Sequence, residues 1–60
     1  MDLLTTEETA ALLRTPPGSL RYWRHVGKGP SWVRIGRRVL YRRADVEAWV
    51  AQQPMTGRPR

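Results

Sequence analysis

Nine basic side chains, Arg14, Arg21, Arg24, Lys28, Arg34, Arg37, Arg38, Arg42 and Arg43, fall in a thirty-residue stretch that holds no Asp or Glu. The acids gather outside it: Asp2, Glu7 and Glu8 before, Asp45 and Glu47 after, the last two balanced by Arg58 and Arg60. The net charge is +6, with a pI of about 11.4. A segment of this kind should carry a positive field that attracts a polyanion and speeds encounter with it. Ten of the eleven bases are Arg, so an Arg-rich genome filling free surface positions is the competing explanation. The complete absence of carboxylates from the middle of the chain favours a nucleic-acid face.

Other chemistries find little support. There is no cysteine, so neither disulfides nor thiolate zinc sites are expected. His25 is a lone histidine, and neither Tyr22 nor Tyr41 has a His and Arg cluster that could be assigned as activators. A 60-residue domain hides only about 60% of the surface of its unfolded chain, so a deep catalytic cleft is not expected. The reading is of a non-enzyme with no metal, cofactor or small-molecule ligand. No apolar run approaches the ~18 residues of a membrane span, so no membrane partner is expected. The start, Met1-Asp2-Leu3-Leu4, has no basic region ahead of an apolar one, so no secretory signal is expected either.

The elements that must position these bases are short. Thr5 with Glu8 makes a capping box, which predicts a helix over Thr6–Leu13 that stops before Thr15-Pro16-Pro17. Pro17 suits the first position of a second helix, predicted over Pro17–Val26 and closed by Gly27. At 100° per residue, Leu20 and Trp23 share one face of it, and Gly18, Arg21, Tyr22 and His25 the other. The gap between the helices has the length of a helix-turn-helix connection. Trp32–Ile35 and Val39–Arg42 read as two strands around Gly36-Arg37-Arg38. Two rules conflict over their register. A three-residue loop puts Val33, Ile35, Val39 and Tyr41 on one clean apolar face, whereas a Gly at the first position of a two-residue turn favours Gly36-Arg37. Burial is taken to decide, so Trp32, Arg34, Leu40 and Arg42 are expected outward. A third helix is predicted over Ala44–Gln52, with Val46, Trp49 and Val50 as its core stripe.

Leu13, Leu20, Trp23, Val33, Ile35, Tyr41, Val46 and Trp49 supply one shared core. The fold class is mainly α with a small two-stranded wing: a winged helix-turn-helix over residues 1–53, followed by a short, basic, flexible tail over 54–60. The second helix is sized for the major groove of duplex DNA, and the wing tip can reach a neighbouring phosphate or the minor groove.

The segments LTTEETAALL (Leu4–Leu13), PGSLRYWRHVGKGP (Pro17–Pro30) and VRIGRRVLYRRADVEAWV (Val33–Val50) resemble the excisionase-type, MerR-like small winged-helix family across nearly the whole chain outside the tail. Four positions depart from its pattern: Pro16 replaces a capping Ser or Thr, Gly18 a long polar residue, Thr9 an aliphatic one and Leu40 a polar one. The family includes phage and plasmid excisionases, which direct an integrase toward excision, and small transcription regulators. The resemblance implies a protein of the bacterial host cytoplasm, associated with the nucleoid. Its partners would be double-stranded DNA, an integrase, and further copies of itself arranged head to tail on bent DNA. A role as a regulator, or as an adaptor that recruits integrase, stands as the alternative.

On this reading the recognition helix would present Gly18, Ser19, Arg21, Tyr22, Arg24 and His25, and the wing and loop Lys28, Arg34, Arg37, Arg38 and Arg42. Arg21 is a base or phosphate contact rather than a merely solvated arginine, being central on the open face. Arg24 lies nearer the buried side and binds phosphate or pairs with an acid. Tyr22 contacts DNA or packs at the helix edge. Trp32 and Leu40 form either a self-association surface or an apolar pair folded back on the domain edge.

Overall fold

The computed structural model describes residues 2–54 and 57. Six elements follow in order: β1 (Leu3–Thr5), α1 (Thr6–Leu13), α2 (Pro17–Val26), β2 (Val33–Ile35), β3 (Arg38–Arg42) and α3 (Arg43–Ala51). The strands form one antiparallel sheet in the order β1-β3-β2. Three helices with a wing of this kind make a winged helix-turn-helix, the fold expected. The tail expected over 54–60 lies, apart from Pro54 and Gly57, outside the described residues. Among the described residues no helix is long and apolar enough to cross a membrane.

Local signals set both ends of α1. The Thr5 amide donates to Glu8 Oε1 at 2.8 Å, and the Glu8 amide to Thr5 Oγ1 at 3.0 Å, which completes the capping box. Arg14 ends the helix in the left-handed conformation, with φ at 56°. Thr9, where an aliphatic residue would be usual, is fully buried, and its hydroxyl donates to the Thr5 carbonyl at 2.8 Å. That bond answers the polar atom that burial would otherwise leave unmatched. Helix α2 opens on Pro17 and closes on Gly27, whose φ is 76°.

Three expectations need correction. First, the wing belongs to a three-stranded sheet. Leu4 pairs with Tyr41, and the Arg43 amide donates to the Asp2 carbonyl at 3.0 Å, so the residues before α1 complete the sheet along the free edge of β3. Second, the hairpin turns on the two residues Gly36-Arg37. Val33 faces Leu40, Arg34 faces Val39 and Ile35 faces Arg38. Gly36 has φ at 61° while Arg37 does not turn positive, the pattern of a type II′ turn. The loss of one loop residue shifts the pairing and exchanges the faces of β2. Tyr41 and Val39 therefore stay inside, but Val33 is only half-buried and Ile35 is 54% exposed. Third, α3 starts at Arg43 and ends at Ala51, and Val50 is exposed.

The core is Leu4, Ala10, Leu20, Tyr41 and Val46, with Leu13, Trp23 and Val39 packed against it. Trp23 and Trp49 meet at 5.6 Å between ring centroids, with planes inclined by 41°. Gly29 lies against this pair. Its φ is 84°, and a Cβ there would stand 3.1 Å from Trp23, so any other residue would both strain the backbone and crowd the indole at this point.

Candidate nucleic-acid interface

Helix α2 is anchored by one side and open on the other. Leu20 is 1% exposed and Trp23 partly buried, whereas Gly18, Arg21, Tyr22 and His25 are all exposed. The four residues expected to share the open flank therefore do so. Ser19 is half-buried at the helix start, where its amide donates to the Pro16 carbonyl at 3.0 Å. Pro16 provides no side-chain cap, and no acid stands in the first turn.

Arg21 Nη2 donates to Glu7 Oε2 of α1 at 2.9 Å, with both side chains more than half exposed. Arg24 is placed differently. Its Nη1 donates to Tyr41 Oη at 2.7 Å and, at 3.3 Å, to Thr6 Oγ1. Its Cζ lies 5.9 Å from the centroid of Trp32, and Arg34 Cζ lies 6.0 Å from the same ring. Of the two expectations for Arg24, a phosphate or an acid partner, the acid is not found among the described residues. A phenol and a hydroxyl satisfy it instead, and the indole lies beside it at cation–π range. The cluster Tyr41–Arg24–Trp32–Arg34 thus links α2 to both strands of the wing.

This placement also separates Trp32 from Leu40. Trp32 turns toward Arg24, on the α2 side of the wing, whereas Leu40 pairs with Val33 on the opposite side of the sheet. The two were expected as one outward patch, and the one-residue shift in pairing breaks it.

The remaining bases sort by engagement. Asp2 pairs with Arg43, and Asp45 lies 3.5 Å from Arg42. Acids from the two ends therefore fold back onto the acid-free middle. Lys28, Arg37 and Arg38 are exposed and, among the described residues, have no ion pair or side-chain hydrogen bond. Lys28 is fixed through its backbone, its amide donating to the Trp23 carbonyl at 2.7 Å. Arg37 occupies the wing turn and Arg38 opens β3. Exposed ion pairs of the Arg21 and Arg42 kind contribute at most about 1 kcal/mol, so a phosphate can compete for those guanidinium groups. No group of three His, Cys, Asp or Glu side chains that could hold a metal ion occurs among the described residues.

Sequence reasoning did not find Thr6, Glu7 or Tyr41 as partners of the α2 arginines. These contacts join residues 14 to 18 positions apart, beyond the reach of any helical or strand periodicity.

A helix presented across a three-residue bend, with a basic hairpin beside it, defines a helix-turn-helix module of the winged type. The model of the helix-turn-helix domain family matches residues 3–54, and the chain belongs to that family. It is accordingly a double-stranded-DNA-binding domain. No curated protein and no solved structure matches the chain.

Proposed function

We propose that this protein acts as an excisionase: it binds attachment-site DNA in several adjacent copies, bends it, and so favours excision by a partner integrase. The observation that carries the DNA-facing part is the division of α2. Gly18, Arg21, Tyr22 and His25 stand open on one flank while Leu20 and Trp23 anchor the other. Lys28 after α2 and Arg37 at the wing turn add exposed bases without a partner among the described residues, and Arg38 lies on the Ile35 and Leu40 face of the sheet. The resemblance of the segments Leu4–Leu13, Pro17–Pro30 and Val33–Val50 to excisionases supports the finer role.

In this reading α2 enters the major groove. Arg21 and His25 meet base edges, Tyr22 a thymine methyl or a phosphate, and Gly18 lets the backbone approach. Ser19 and the unpartnered Gly18 amide at the helix start face a phosphate. Lys28, Arg37, Arg38 and Arg42 take neighbouring phosphates, while Arg24 and Arg34 set the wing through Trp32. One such module covers roughly 600–1,000 Å² of protein surface, so a single copy binds weakly. Head-to-tail copies use a heterologous contact that propagates along the duplex. The bend costs on the order of 1–6 kcal/mol over 20–30 bp and is offset by the added contacts.

Footprinting on an attachment region, with and without integrase, tests the proposal. Adjacent sites that fill cooperatively are expected, and a salt slope of log K near −3.6 if four phosphates are neutralised. Arg21→Ala should lower affinity and relax base preference, and Arg37→Ala should weaken all sequences alike. A lone protected operator at a promoter, unaffected by integrase, would make the protein a small transcription regulator instead. A slope near zero would remove the electrostatic basis of both readings.

A further inference from the structure

We propose that Glu7 is a specificity-determining residue: it opposes contact of Arg21 with phosphate while leaving the guanidinium free for a base edge. This rests on the reading of Arg21 as a DNA contact. Glu7 stands in the first turn of α1, and its Oε2 accepts from Arg21 Nη2 across the helix-turn-helix junction at 2.9 Å. The pair is 66% exposed on the Glu7 side and 56% on the Arg21 side, so it lies in solvent where a duplex would dock. It is not needed to join the two helices, because Arg24 already links α2 to Thr6 of α1.

The charge pattern makes Glu7 unusual. Residues 14–43 contain no carboxylate, so any acid on the α2 flank has to come from another element. Among the described residues Asp2 and Asp45 are taken up by Arg43 and Arg42, Glu8 by the capping box, and Glu47 on α3 makes no ion pair and lies beside Leu12 and Leu13 of α1. Glu7 is the acid that reaches α2.

Its effect on the two kinds of DNA contact differs. A guanidinium has five donors in one plane, and Glu7 engages Nη2. A guanine edge offers two neutral acceptors, O6 and N7, which can be met while the carboxylate stays paired. A phosphate brings a full negative charge beside the Glu7 carboxylate, and the two anions repel. Glu7 therefore penalises sequence-independent contacts more than base contacts, and specificity is a difference between those affinities.

The test uses the full chain and the variants Glu7→Gln, Arg21→Ala and the double variant. A consensus duplex is first selected from a random pool with the wild-type protein. Affinities are then measured by fluorescence anisotropy for that duplex and for a random-sequence duplex of the same length, at several salt concentrations. Glu7→Gln should bind the random duplex about two- to five-fold tighter, the range open to an exposed ion pair. The ratio of consensus to random affinity should fall by the same factor. The salt slope on random DNA should steepen by about 0.9, one added phosphate. In the Arg21→Ala background, Glu7→Gln should leave the ratio unchanged.

Equal strengthening of both duplexes, no change in either, or a ratio change that persists without Arg21 would each overturn the role of Glu7. A thermal melt of Glu7→Gln matching wild type shows that the fold is intact. Wild-type protein that binds no duplex in a salt-dependent way would sink the DNA-face reading itself. Wild-type binding with an unaltered Glu7→Gln ratio would sink only this inference.

Discussion

Helices α1 and α2 start in opposite ways. At α1, Thr5 and Glu8 exchange hydrogen bonds with each other's amides, and two acids lie in the first turn, where they complement the positive end of the helix dipole. At α2, Pro16 offers no side-chain acceptor, the first turn has no acid, and the basic residues Arg24 and His25 sit in the last turn. One helix is closed by its own side chains, and the other is left open to an acceptor from outside. A missing cap costs about 1 kcal/mol, a sizeable share of the few kcal/mol that hold a domain this small. Pro17 has no N–H and the Ser19 amide donates to the Pro16 carbonyl, so the donor left to an outside acceptor is the Gly18 amide, which the proposed docking of α2 would set against a phosphate.

The strongest way to break this contrast is to compare the two flanks of α2. Leu20 is fully buried and Tyr22 is 62% exposed. Leu20→Ala should lose about 2–5 kcal/mol, through lost burial and the cavity left behind, and leave much of the chain unfolded at 37 °C. Tyr22→Ala should stay within about 0.5 kcal/mol of wild type in a thermal melt followed by circular dichroism, yet weaken duplex binding. Equal destabilisation by both changes would mean that the outer flank is packed rather than presented.

A second test asks how far α2 depends on the wing. Tyr41 is 1% exposed, and its hydroxyl accepts from Arg24 at 2.7 Å. Tyr41→Phe keeps the ring and removes the acceptor. The loss should be about 1.5–3 kcal/mol, the range for a hydrogen bond to a charged group. DNA affinity should fall as well at a temperature where the variant remains folded, because Arg24 would no longer hold Trp32. A variant that melts like wild type would show that the Tyr41–Arg24–Trp32 cluster does not brace the two regions.

What the residues reveal in advance divides along the same line. Both helix ends of α1 and α2 were legible because local chemistry writes them: the Thr5–Glu8 box, Pro17 at the first turn, and Gly27 at the close. The open flank of α2 followed from its periodicity. The wing register did not, because on an edge strand the turn constrains the pairing more than burial does. Val33, Ile35, Val39 and Tyr41 look like a core face, but β2 is an edge strand with little covering it. With half-buried Val33 and exposed Ile35 there was little burial to enforce that alternation, so Gly36 decided the turn. Strand β1 was hidden for a related reason. Three residues cannot display an alternating pattern, and Leu3–Thr5 is a strand because β3 has a free edge beside it. Arg24 was half legible: the wheel put it toward the interior, but its partners lie in Thr6 and Tyr41, 18 and 17 residues away.

The finest test exchanges the character of the two helix starts. Thr5→Ala should cost about 1 kcal/mol, since the hydroxyl that accepts from the Glu8 amide is lost while the backbone N–H of residue 5 still donates to Glu8. At the other helix, Pro16 already has the extended conformation of a capping residue, with φ −65° and ψ 145°. Serine there can cap without a change of backbone, whereas alanine cannot cap at all. Both replacements forgo the rigidity of proline, so the difference between Pro16→Ser and Pro16→Ala isolates the cap itself. Serine should exceed alanine by about 1 kcal/mol or somewhat less in the melt. On DNA the order should reverse, with Pro16→Ser the weaker binder, because its hydroxyl occupies an amide that a phosphate oxygen would otherwise meet. If serine and alanine behave alike in both measurements, the start of α2 is not open, and the contrast between the two helices has no consequence for binding.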